Sequence, residues 1–103
     1  MNSIMQEKAE ELAEVCKTRA VRRLALFGSA AQGAFDPASS DLDFLVEFQP
    51  ASPAQHANHY FGLQEDLESL FGVPVELVEP ESIRNPYFRQ AIEETQVLVY
   101  AAA

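Results

Sequence analysis

Asp41 and Asp43 stand one residue apart in the stretch "SDLDFLVEF", set among Leu42, Phe44, Leu45 and Val46. In an extended chain residues two apart project to the same face, so these carboxylates point together, their backbones about 6.6 Å apart at about 3.3 Å rise per residue. Carboxylates beside a core are costly unless something pairs with them. Two at this spacing can converge on a pair of metal ions roughly 3.5–4 Å apart. Without a cation they repel each other. Magnesium suits the place, since it takes oxygen ligands, often one or two carboxylates, and completes its shell with substrate phosphates and water.

Upstream, Gly28 and Ser29 end the apolar run "LALF". Gly28 lets a phosphate approach the backbone, and Ser29 offers a hydroxyl at the start of a helical turn, where unpaired N–H groups favour anions. A metal site and a phosphate site at the ends of neighbouring strands suit phosphoryl or nucleotidyl transfer. Glu76, between Val75 and Leu77 in "GVPVELVEP", is a third carboxylate on a further strand, suited to ligate metal or to act as general base toward an incoming hydroxyl. Each feature alone has an ordinary reading: a solvated strand edge, a common turn, an exposed glutamate. Their ordered combination is far more specific than the parts.

The elements that must position these residues are legible in outline. Ser3 and Gln6 have the spacing of a capping box, and Ile4, Met5, Ala9, Leu12, Ala13 and Cys16 recur at helical spacing, predicting one helix from Ser3 to Thr18. Arg23 to Phe27 reads as a buried strand, Ser29 to Ala31 as a turn or two of helix, and Asp41 to Phe48 as the second strand. Ser52 and Pro53 suit a helix start, with Tyr60, Leu63, Leu67, Leu70 and Phe71 as its apolar face and Gly72 as its end. Val73 to Val78 predicts a third strand, Asn85 and Pro86 open a last helix, and Val97 to Tyr100 closes with a fourth strand. The sum is an α+β fold, a mixed sheet with helices packed on it in two layers.

At 103 residues the chain is read as a single domain, 1–103, and 48% hydrophobic composition speaks against disorder. Twelve Glu and four Asp against seven Lys plus Arg give a net charge of −9, which repels phosphate backbones and disfavours direct nucleic-acid binding. The same charge suits a divalent cation or a basic protein partner. Lys17, Arg19, Arg22 and Arg23 cluster before the first strand and leave a local anion site open. Cys16, the single cysteine, reads as packing, and no segment approaches the roughly 20 apolar residues of a membrane span. A soluble, cytoplasmic setting follows as the expectation.

"GSAAQGAFDPASSDLDFLVEF" followed by "VEL" resembles the minimal nucleotidyltransferase (MNT) domain of the DNA polymerase β superfamily: Gly-Ser, a loop, Asp-x-Asp on a strand, then a later acid. The resemblance spans nearly the whole chain. It implies the polymerase β-like fold, with Asp41 and Asp43 binding two magnesium ions that carry ATP and Glu76 in the place of the third acid. Gly28 and Ser29, with Ser40 beside the first Asp, would contact the nucleotide. Chains this small resemble MntA-like antitoxins, which transfer AMP to a tyrosine of a HEPN ribonuclease toxin and silence it. A HEPN-type partner, possession of ATP and magnesium sites, and a complex with the partner are the corresponding expectations. Two departures stand out: Ala30 and Gln32 replace the arginines common after Gly-Ser, and the third acid is Glu rather than Asp. They motivate an alternative, a catalytically weak antitoxin that inhibits by binding alone. A small-molecule nucleotidyltransferase is a third option.

Of the other residues, His56 and His59, three apart on a helix, read as solvated or as a partner contact rather than as metal ligands. Tyr60, Phe61 and Phe71 read as helix packing. Tyr87 and Phe88, beside Arg84 and Arg89, are candidates for a protein interface.

Overall fold

The structure, a computed structural model, describes residues 3–32 and 41–102. Helices α1 (Ser3–Glu7) and α2 (Ala9–Thr18) replace the single helix expected from the sequence. The chain loosens at Lys8 (φ −108°, ψ 18°), whose N–H bond to the Ile4 carbonyl stretches to 3.3 Å before the helix resumes. Strand β1 (Val21–Phe27) begins earlier than expected, because Val21 is itself buried. A three-residue 3-10 turn (Ala30–Gln32) follows, and β2 runs from Leu42 to Phe48.

Helix α3 (Pro53–Phe71) starts on a complete capping box: the Ser52 hydroxyl accepts from the Gln55 N–H, and the Ser52 N–H donates to the Gln55 side chain. Its end is Gly72 at φ 71°, a left-handed position that glycine adopts without penalty. Strand β3 is shorter than expected, Val75–Val78. Pro74 has no N–H to donate, although its carbonyl still accepts from Leu42 N–H at 3.0 Å. After a short 3-10 turn (Pro80–Ser82), Asn85 caps α4 (Pro86–Thr95) by accepting from the N–H groups of Tyr87 and Phe88, and β4 (Val97–Ala101) completes the chain.

The four strands form one mixed sheet in the order β3-β2-β1-β4. β1 is antiparallel to both neighbours, and β2 is parallel to β3. This is the mixed sheet with helices packed on it that the sequence predicts, but helices lie on both of its faces, so α4 adds a third layer to the two expected. One face carries Leu24, Leu26, Leu42, Phe44, Val46, Val75 and Leu77 against Leu12, Cys16, Leu63, Leu67 and Phe71 of α2 and α3. Burial there pushes the Cys16 thiol up to about 12, so this cysteine serves packing. The opposite face carries a smaller cluster, Ala25, Phe27 and Leu45 with Ile83 and Ile92, the last from α4.

The β3 edge is closed from above by α3. Tyr60 Oη donates to the Leu77 carbonyl (2.8 Å), Gln64 Nε2 to the Val75 carbonyl (2.9 Å), and Val75 N–H donates to Glu68 Oε2 (3.0 Å). Positions 60, 64 and 68 lie one above another on a helix, so one row satisfies the strand's outward backbone groups. Phe71 is buried and Tyr60 partly so, but Phe61 is 65% exposed and only edges the Tyr60 ring. No described helix is long and apolar enough to cross a membrane.

Candidate active site

Alternation along β2 sends Leu42, Phe44 and Val46 into the large core and turns Asp43 and Leu45 to the opposite face. Asp43 therefore lies on the α4 side of the sheet, with Asp41 exposed just before the strand. Two pairings fix its neighbours. In the parallel β2–β3 ladder Asp43 stands opposite Glu76, and in the antiparallel β1–β2 ladder it stands opposite Phe27. Gly28 follows at φ 77°.

Gly28 is required here on steric grounds. A Cβ at this position would lie 2.8 Å from Asp43 Oδ2, and its φ is one that L side chains rarely adopt. The space beside the Gly28 Cα is thus taken by the Asp43 carboxylate. Ser29 follows, exposed, before the Ala30–Gln32 turn.

The electrostatics of the site are those of crowded acids. Partial burial raises the Asp43 pKa first; the Glu76 charge, a proton shared between the two carboxyl groups, and Asp41 push the same way. The structure thus gathers Asp41, Asp43, Glu76, Gly28 and Ser29 at one end of the sheet. Ser40 lies outside the described residues.

Among the described residues no ion pair reaches Asp41, Asp43 or Glu76. Arg22 and Arg23 both turn to Glu47, at 2.6 and 3.8 Å. In register Arg23 pairs with Glu47 while Phe27 pairs with Asp43, so these arginines sit at the far end of β1, roughly 17 Å from Gly28 at about 3.4 Å per residue. The anion site left open near them does not belong to this cluster. Arg19 is paired with Asp66 at 2.7 Å, Lys17 with Glu14 at 3.7 Å, and Arg89 Nη2 donates to the carbonyls of Pro80 and Ile83. From Leu24 to Ile83 the sequence contains no lysine or arginine at all.

The donor set fits magnesium. It is all carboxylate oxygen, and the mutual repulsion is what a bound divalent cation would relieve. Among the described residues no group of three His, Cys, Asp or Glu side chains forms a ready-made cage. His56 takes no part, its Nε2 meeting Glu79 Oε1 at 2.7 Å and its ring edging Phe48.

Sequence reasoning did not place the cleft beside the carboxylates. It measures about 310 Å³, at the small end of ligand pockets, and is lined by Phe27, Gly28 and Asp43 from the sheet and by Phe88, Ala91, Ile92 and Thr95 from α4. Phe88 meets Phe27 edge-on, with ring centroids 6.0 Å apart. The four α4 residues form two i,i+4 pairs, a stripe visible in the sequence. Which sheet face the stripe would cover was not.

Comparison with known proteins places this geometry. A model of the nucleotidyltransferase domain matches residues 9–99. A Methanocaldococcus jannaschii protein named as a candidate protein adenylyltransferase, MJ1379, is 39% identical over 79 residues, 77% of each chain. A solved candidate minimal nucleotidyltransferase superposes with a TM-score of 0.71 at 28% identity, covering 94% of this chain and 95% of its own. The MNT antitoxin of Shewanella oneidensis, solved with its tri-AMPylated HEPN toxin, shares the fold with a TM-score of 0.63 at 16% identity, over 95% of this chain and 73% of that one. With the sheet, the Gly-Ser turn and the paired acids in their places, the chain belongs to the nucleotidyltransferase domain family and is a nucleotidyltransferase.

Proposed function

We propose that this chain transfers AMP from ATP to a hydroxyl on a partner protein, a tyrosine of a HEPN-type toxin, and thereby neutralises it. The observation that carries the reading is the cross-strand pair of Asp43 and Glu76 beside Gly28, a crowded acidic site that accounts for itself once a divalent cation and a triphosphate are bound. The names of the relatives support protein adenylylation in particular.

Asp41, Asp43 and Glu76 would hold magnesium, which supplies charge stabilisation to the transferring phosphoryl group. Gly28, Ser29 and Ser40 would contact the phosphates. The acceptor hydroxyl oxygen forms a bond to the α-phosphorus as the bond to the bridging oxygen breaks, and pyrophosphate leaves. Glu76, the most exposed of the strand-borne acids, receives the hydroxyl proton.

The lack of any basic side chain in the cleft lining favours a second reading, an antitoxin that acts by contact alone. One experiment separates them. Wild type and the Asp41→Asn, Asp43→Asn double variant are incubated with magnesium, labelled ATP and the protein encoded beside this chain. Labelled partner with wild type only, and neutralisation lost in the double variant, supports transfer. Equal neutralisation by both proteins, with no label, sinks it.

A further inference from the structure

Among the described residues, the cleft that holds Asp43 opens on the α4 side of the sheet, and α2 and α3 cover the other face. That side is apolar where it meets solvent. Tyr87 is 81% exposed, Phe88 43% and Leu98, which pairs with Ala25 and so shares its face, 46%. Tyr87 lies one turn before Ala91, and thus at the rim of the cleft that ends on Gly28 and Asp43. Exposed aromatics grouped around a reactive centre are uncommon unless something covers them. The occupant's charge is set by what surrounds the rim. The floor is acidic, the exposed Arg84 stands just ahead of α4, Arg89 is spent on two backbone carbonyls, and the whole chain carries −9.

We propose that the Tyr87–Phe88–Ala91 rim of α4 is the docking surface for the acceptor, a basic protein segment that seats an apolar or aromatic residue there and places its hydroxyl at Asp43. The proposal rests on the reading of the chain as a protein adenylyltransferase. It adds where the acceptor binds and what charge it carries. A basic segment also brings the positive charge that the phosphate site lacks.

Two defined probes test it: a random lysine–tyrosine copolymer and a random glutamate–tyrosine copolymer, each offered with magnesium and labelled ATP. The lysine–tyrosine polymer is the expected acceptor. Tyr87→Ala should raise its KM about tenfold, the scale of an interface aromatic truncated to alanine, with the KM for ATP unmoved. Tyr87→Phe should restore the wild-type value. With Tyr87 so exposed, neither change threatens the fold. Equal labelling of the two polymers overturns the charge assignment, and an unchanged KM in Tyr87→Ala overturns the surface. A raised KM for ATP instead would mean that the rim serves the nucleobase, which also overturns it. Magnesium–ATP binding, read as a melting shift, is followed in parallel. Binding without labelling of either polymer defeats the docking proposal alone, whereas absence of binding defeats the adenylyltransferase reading beneath it.

Discussion

Asp43 is the residue at which fold and chemistry oppose each other. Folding brings it beside Glu76 and partly buries it, so its carboxyl holds a proton more tightly in the fold than in the unfolded chain. The folded state then binds more protons, and this group's contribution to stability falls as pH rises through the ordinary carboxylate range toward the raised value. Asp43→Asn keeps the shape and removes the charge. It should melt higher than wild type at neutral pH, lose that advantage below about pH 3.9, where the carboxyl is protonated in both states, and see the gap close when magnesium is added to wild type. Melting curves across this range check all three. Transfer activity should fall at least about a hundredfold in the same variant. Gly28→Ala is the complementary case. Its Cβ would press on Asp43 Oδ2 and its φ would be strained, so a loss of about 1–3 kcal/mol in urea denaturation is expected.

Elements decide which of these residues meet. Period-two alternation in "DLDFLVEF" was enough to turn Asp43 away from Leu42 and Phe44, whereas Asp41, expected as the first residue of the strand, falls just before it. Glu76 needed one more assumption, that β3 lies beside β2, and the parallel register places it directly opposite Asp43. Alternation says nothing about which helix covers which face, so the α4 wall of the cleft stayed hidden. Nor could composition show that Arg22 and Arg23 start a strand whose far end carries Gly28. The break at Lys8 and the exposure of Phe61 were equally illegible, since helical spacing records an apolar stripe but not where packing stops. The row on α3 over the β3 edge makes a prediction of its own. Tyr60→Phe deletes the donor to the Leu77 carbonyl while keeping the ring, and should cost about 0.5–1.5 kcal/mol by urea midpoint. The strand that carries Glu76 would lose its edge support, so the effect should appear in activity as well as stability.

The whole molecule is a small acidic body with one closed and one open sheet face. Helices α2 and α3 seal the large core and leave Asp43 on the side that α4 only partly covers. With a net charge of −9 and no lysine or arginine from Leu24 to Ile83, the proposed triphosphate site would draw its positive charge from outside that span, first as magnesium. Family membership follows from the matched domain and the fold. Which bond is broken is the claim on which everything else depends. ATP labelled at the α- or the γ-phosphorus, supplied with magnesium, this chain and the protein encoded beside it, reads that bond directly. The α-label should appear on the acceptor with release of pyrophosphate, and should vanish with Asp43→Asn. Transfer of the γ-label, or α-labelling that Asp43→Asn leaves intact, would contradict the account.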